Sequence, residues 1–202
     1  VDQLSFRGRL CDPFAVPERV SVAEAFERHA GIDLLATIDR EGVPDTAALA
    51  AQMDRVGIRR AADDTWSDLL SRVLVEKVEP HLGHGRPTIL DRYPAAEAAL
   101  ARRAPDDGRV AERFEIYACG VELANGFGEL TDPAEQRRRF EAEMIEKQRV
   151  YGETYPLDED FLAALALMPP ACGIAMGFDR LVMLATHAAR IDDVIWTPVA
   201  QG

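Results

Sequence analysis

The sequence is poor in cysteine and in long apolar runs. Its 202 residues include only three cysteines, Cys11, Cys119 and Cys172, which are scattered and lack the spacing of a metal site. An odd and scattered set favours reduced thiols, so we expect a cytoplasmic protein without disulfides. No apolar run approaches the length of a membrane span and no signal peptide is visible, so we expect no membrane partner.

The sequence also lacks an excess of basic residues. It carries 23 Lys and Arg against 35 Asp and Glu, a formal net charge of −12. A broad nucleic-acid surface needs clustered Lys and Arg to neutralise phosphates, so this balance argues against one. With 48% apolar residues and no linker or repeat, we expect a single domain over residues 1–202.

Apolar residues recur at helical spacing in several segments. They predict helices at 22–30, 44–56 and 66–78, and later at 132–150 and 158–167. Residues 88–94 read as a strand that is closed by a proline.

One distinctive stretch, residues 173–184, reads Gly-Ile-Ala-Met-Gly-Phe-Asp-Arg-Leu-Val-Met-Leu. It predicts a strand that passes directly into a helix, with Arg180 at the junction. Glycines such as Gly177 let a ligand approach the backbone closely, and an arginine fork suits phosphate. The alternative is an ordinary buried strand that ends in an Asp-Arg pair.

A second stretch, residues 113–130, predicts a β-hairpin that turns at Cys119-Gly120. The register implied by this turn pairs Ala118 with Val121, Tyr117 with Glu122, and Glu115 with Ala124. Glu115, Tyr117 and Glu122 would then project together. Two carboxylates on one sheet face favour a cation between them, such as Mg²⁺ carrying a nucleotide. The alternative is a solvated hairpin face.

Asn125 and Glu129 fall on the other parity of the second strand. They would join the same site only if a bulge or sharp twist followed Ala124, which Gly126 and Gly128 would permit. An additional acid and an amide facing a pocket would suit a small cationic ligand such as an amine.

Together the two stretches resemble the C-terminal half of the class II lysyl-tRNA synthetase catalytic domain. Gly-Val-Glu-Leu-Ala-Asn-Gly-Phe-Gly-Glu-Leu at 120–130 is similar to its amino-acid and metal strand, and Gly-Ile-Ala-Met-Gly-Phe-Asp-Arg-Leu at 173–181 to its third signature motif. The intervening sequence looks closest to the short paralogues that attach (R)-β-lysine to a lysine of translation elongation factor P.

The resemblance implies roles for particular residues. Glu115 and Glu122 resemble the Mg²⁺ ligands. Glu122, Asn125 and Glu129 resemble the residues that recognise the lysine-type substrate, with the acids meeting its amines. Arg180 resembles the catalytic arginine that holds the γ-phosphate of ATP.

Two small residues of the same motif belong to this implied site. Gly177 resembles a residue of the ATP site. Ala175 is similar to the alanine that the elongation-factor paralogues carry at this position, where the lysyl-tRNA synthetases carry glycine. One methyl group near the substrate α-carbon is worth about 1–3 kcal/mol, so it would favour β-lysine over α-lysine without excluding either.

The implied fold is α+β, an antiparallel class II aminoacyl-tRNA synthetase-type sheet flanked by helices. The first and second signature motifs are not found, so we expect the domain to be N-terminally incomplete. The implied function is ATP-dependent activation of lysine or (R)-β-lysine and transfer to a lysine of elongation factor P.

Two alternatives remain open at this point. One is the C-terminal part of a lysyl-tRNA synthetase, although the acidic balance favours a protein acceptor over tRNA. The other is a non-catalytic module that binds lysine or nucleotide. The oligomeric state is also open, with a homodimer among the alternatives.

Overall fold

The computed structural model describes residues 2–98 and 100–197, and its centre is a five-stranded sheet. The strands lie side by side in chain order. Their bounds are β3 Glu18–Ser21, β4 Thr88–Asp91, β5 Arg113–Ala118, β6 Val121–Gly128 and β7 Cys172–Met176. A separate two-stranded hairpin consists of β1 Leu4–Phe6 and β2 Arg9–Cys11.

The pairing directions match the predicted fold class, with one parallel exception. β4, β5, β6 and β7 form antiparallel pairs, whereas β3 runs parallel to β4. A parallel pair requires a long crossover, and here the helical segment between β3 and β4 supplies it. The α+β expectation, a sheet flanked by helices, is therefore confirmed.

Six α-helices accompany the strands in the described residues. They are α1 Val22–Ala30, α2 Thr46–Arg55, α3 Trp66–Val73, α4 Pro133–Tyr151, α5 Glu159–Leu165 and α6 Phe178–Ala185. The helix predicted over 66–78 changes form after Val73, because Leu74–Val78 makes a wider π-helical turn. None of the helices in the described part of the chain combines the length and apolar content needed to cross a bilayer.

Two buried clusters pack on the sheet from opposite sides. The larger cluster packs α1, α2 and α3 against Val20, Leu90 and Tyr117. The smaller cluster contains Leu123 with Met183 and Leu184 of α6. All five residues of β7 are exposed, so the sheet is open to solvent at this end.

The β5–β6 hairpin turns at Cys119-Gly120, as the sequence predicts. Both residues have positive φ, 56° and 74°, which is the pattern of a type I′ turn. Their backbone N–H groups donate to the carbonyl oxygens of Gly83 at 2.8 Å and Leu82 at 2.9 Å. The loop before β4 is thereby bound to the hairpin that carries the predicted site.

Gly83→Ala should destabilise the protein much more than Gly57→Ala. Both glycines have a φ of +71°, so alanine at either position carries a left-handed penalty of about 1–2 kcal/mol. A Cβ at Gly83 would also lie 2.5–2.8 Å from backbone atoms of Ala118, whereas nothing lies within 4 Å at Gly57. We expect an additional loss of about 1–3 kcal/mol for Gly83→Ala in urea unfolding. Equal losses in the two variants would contradict this close packing.

Candidate active site on the open part of the sheet

The side chains of several predicted site residues share one side of the sheet, which we call the front face. Cross-strand partners project to the same side, and the register pairs Tyr117 with Glu122, Glu115 with Asn125, and Asn125 with Ala175. The front-face set is Arg113, Glu115 and Tyr117 in β5, Glu122, Asn125 and Phe127 in β6, and Ala175 in β7.

A β-bulge at Leu123 brings these residues together. The predicted pairing of Glu115 with Ala124 is wrong, because Ala124 lies opposite the next residue of β5 and Glu115 lies opposite Asn125. Leu123 is an extra residue in the strand, so the parity changes after Glu122. Asn125 therefore joins the face of Glu122. The bulge that the sequence required after Ala124 occurs one residue before it.

Glu115 is held by two donors. The Nη2 group of Arg113 donates to its Oε1 at 2.9 Å, and the Tyr117 hydroxyl donates to its Oε2 at 2.7 Å. Glu115 is only 6% exposed. Burial and the negative charge of Glu115 raise the pKa of the Tyr117 hydroxyl, which keeps it protonated as a donor. The direction of the carboxylate is therefore fixed before any ligand binds.

Arg180 lies in the first turn of α6, directly after β7, as the sequence predicts. Its Nη1 group donates to the carbonyl oxygen of Glu122 at 2.9 Å and to Oε2 of the same residue at 3.1 Å. The N–H of Gly177 donates to the carbonyl oxygen of Leu123 at 2.8 Å, which ties the junction to the bulge. The alternative of an ordinary buried strand is wrong, since β7 is exposed throughout.

Glu129 directly follows β6, and its side chain extends the front face beside the start of β7, whereas Ala175 lies further along β7. A Cβ built on Gly173 would be 2.7 Å from Oε1 of Glu129, so the Glu129 carboxylate lies directly over this glycine. Gly173 pairs with Phe127, and Ala175 pairs with Asn125. The predicted substrate residues therefore line adjacent positions of β6 and β7.

Glu79 is a member of this group that sequence reasoning missed. It follows the π-helical turn after α3, and its Oε1 lies 3.5 Å from the Tyr117 hydroxyl. Burial and the charge of Glu115 raise the pKa of the Glu79 carboxyl, and the Tyr117 hydrogen bond offsets only part of this. Glu79 is separated from Tyr117 by 38 residues, and no local pattern signals such a contact.

Negative charge exceeds positive charge among these side chains. Arg113 pairs with Glu115 and Arg180 pairs with Glu122, and within the described residues Glu79 has no ion-pair partner. Carboxylate oxygens are the ligands that Mg²⁺ prefers, so Glu115 and Glu122 fit the expected metal in charge and chemistry. No group of three or more His, Cys, Asp or Glu side chains in residues 2–98 and 100–197 is placed to hold a metal. A metal here would need additional oxygen ligands from a substrate.

Comparison with known proteins points to one family. The model of the class II tRNA synthetases (D, K and N) matches residues 13–201. Relatives named elongation factor P–(R)-β-lysine ligase come from Proteus mirabilis, Sodalis glossinidius and Klebsiella pneumoniae, with identities of 45%, 44% and 42%. The matches cover 90%, 88% and 96% of this chain but 55%, 54% and 58% of those proteins. The chain thus spans about half the length of the curated relatives it matches.

Glu79→Gln should stabilise the unliganded protein more at pH 7 than at pH 4. Because the folded protein raises the pKa of this carboxyl above its ordinary 4.5, its ionisation opposes folding as the pH rises through and above that value. Glutamine removes this loss and keeps an uncharged side chain of the same shape beside the Tyr117 hydroxyl. Urea unfolding at both pH values measures the difference, with Glu76→Gln on the exposed part of the preceding turn as the control. A gain that is the same at both pH values would contradict the assigned environment.

Proposed function

The chain belongs to the class II tRNA synthetases (D, K and N), and from this membership we propose that it forms part of a ligase that activates a lysine-type amino acid with ATP. A carboxylate oxygen of the amino acid bonds to the α-phosphorus of ATP, and pyrophosphate leaves. The amine of an acceptor lysine then attacks the acyl carbon, an amide forms, and AMP and a proton are released.

The acceptor that we propose is a lysine of elongation factor P. The support is the name that relatives at 41–45% identity share, elongation factor P–(R)-β-lysine ligase. The acidic balance of the chain, −12 at pH 7, also disfavours tRNA, whose phosphates need a basic surface.

The observation that carries the proposal is the convergence of Glu115, Glu122, Asn125 and Arg180 through the bulge at Leu123. Glu115 and Glu122 would hold Mg²⁺, which supplies charge neutralisation for the phosphates when bound.

Arg180 is suited to change partners when ATP binds. Its ion pair with Glu122 is partly exposed, with side chains 46% and 36% accessible, and such pairs contribute only about 0–1 kcal/mol. A phosphate group, which accepts a bidentate charge-assisted bond, would compete successfully for the guanidinium. Glu122 would then be released toward Mg²⁺ or the substrate amine.

The remaining front-face residues would position the amino acid. Glu129 offers a carboxylate to an ammonium group, and Asn125 and Ala175 line the adjacent surface between β6 and β7. In this scheme no protein side chain transfers a proton, and rate enhancement comes from orientation and from neutralising charge.

Glu122→Gln and Arg180→Ala should each abolish amino-acid-dependent exchange of pyrophosphate into ATP, because each removes a charge that the transition state needs. The assay compares L-lysine with (R)-β-lysine. Glu146→Gln and Arg149→Ala are matched controls, since these residues form an exposed ion pair on α4 with atoms 2.5 Å apart. Exchange that survives the site substitutions would overturn the assigned roles.

A folded chain that binds ATP and lysine without exchange would favour the alternative of a binding module. Preference for L-lysine, with acylation of tRNA, would favour a part of a lysyl-tRNA synthetase. Calorimetric titration with Mg-ATP and with each amino acid distinguishes the binding outcome from a complete loss of function.

Ala175→Gly should shift the preference from (R)-β-lysine toward L-lysine. The removed methyl group lies on the front face opposite Asn125, and a methyl-sized change alters discrimination by about 10–200-fold. The ratio of kcat/KM for the two amino acids measures the shift, with Ala171→Gly just before β7 as the control. An unchanged ratio would show that the substrate backbone does not lie at this position.

A further inference from the structure

We infer that Arg113 is a positioning residue that orients two front-face side chains, Glu115 and Asn125, at the same time. The inference rests on the proposed function only for the identity of the ligand. Arg113 itself is largely covered, and its side chain is 17% exposed. It therefore acts on a substrate through its two neighbours.

Each nitrogen of the Arg113 guanidinium has an acceptor. Nη2 donates to Oε1 of Glu115 at 2.9 Å, Nη1 donates to the carbonyl oxygen of Glu97 at 2.7 Å, and Nε donates to Oδ1 of Asn125 at 3.4 Å. The three acceptors belong to three different segments of the fold. The fork is thus fixed by two strands and by the turn after β4.

Two aromatic rings restrict the guanidinium further. Its central carbon lies 4.4 Å from the centre of the Tyr93 ring and 5.9 Å from that of Phe127. Close stacking of this kind depends on a planar cation. Lysine keeps the charge but cannot supply either the fork or the stacking plane.

The consequence for Asn125 is a defined amide orientation. Its Oδ1 atom is directed to Arg113, so its Nδ2 group is left to donate to a ligand oxygen. Asn125 would therefore recognise an acceptor, such as a carboxylate or phosphate oxygen, while the neighbouring acids take the amines. Arg113 imposes this division of roles, because without it the Asn125 amide could rotate and exchange the positions of its oxygen and nitrogen atoms.

The chain offers an unusually clean test, since Asn125 is the only asparagine in its 202 residues. A sample labelled with [¹⁵N]asparagine gives one carboxamide signal, a pair of cross-peaks at a single nitrogen shift, in a proton–nitrogen correlation spectrum. Arg113→Lys should shift or broaden this signal. Arg102→Lys is the matched control. Arg102 also pairs with a carboxylate, since its Nε donates to Oε2 of Glu112 at 2.6 Å, but this pair does not include Asn125. An unchanged carboxamide signal in Arg113→Lys would overturn the inference.

A second measurement covers the case in which Arg113→Lys does not fold. In the wild-type chain, a nuclear Overhauser effect between an arginine Hε and the labelled asparagine side chain can arise only at Asn125. We expect this effect, and its absence from a folded sample would overturn the contact.

Binding measurements test whether the contact between Arg113 and Asn125 matters for substrate recognition. Arg113→Lys should weaken lysine binding about tenfold in calorimetry, whereas Arg102→Lys should not. A changed carboxamide signal with unchanged lysine affinity would overturn the positioning role. If the wild-type chain binds neither ATP nor lysine, the proposed function fails while the spectroscopic result still decides the role of Arg113 within the fold.

Discussion

The β-bulge at Leu123 is the constraint on which the front face depends. It makes Leu123 and Ala124 point away from this face, so that Glu122 and Asn125 both point toward it. The bulged Leu123 is buried against α6, and its carbonyl oxygen accepts a hydrogen bond from Gly177. One extra residue therefore sets the faces of β6, the contact with α6 and the place where Arg180 enters the site. A strand without the bulge would turn Asn125 to the opposite side.

Local sequence was sufficient to predict the hairpin turn but not the register beyond it. Cys119-Gly120 is a two-residue turn between alternating strands, and its geometry depends only on neighbouring residues. The position of the bulge depends on the packing of Leu123 against Met183 and Leu184, about 60 residues later in the chain. The predicted bulge after Ala124 was placed from glycine positions alone. The packing of Leu123 instead favours a bulge one residue before Ala124.

The site residues also fall into two groups, those that a local motif predicts and those that depend on long-range contacts. Glu115, Glu122 and Arg180 could be proposed from motifs, because each motif lies within one short segment. Glu79 reaches the group through the loop that Gly83 holds against the hairpin turn, and no periodicity in the sequence predicts that contact. Arg113 was part of a recognised strand, but its role depends on aromatic rings and a carbonyl group contributed by distant segments.

The two ion pairs of the front face differ in burial, and therefore in how strongly each is held. The Arg113–Glu115 pair is largely covered, so breaking it would leave a buried charge unpaired, which costs about 3–5 kcal/mol. It therefore behaves as fixed structure. The Arg180–Glu122 pair lies at the solvent-open end of the sheet, where water weakens the attraction. Breaking that pair would therefore cost only about 0–1 kcal/mol. The front face thus combines one covered charge pair, whose geometry is fixed, with one solvent-accessible pair, which is held more weakly.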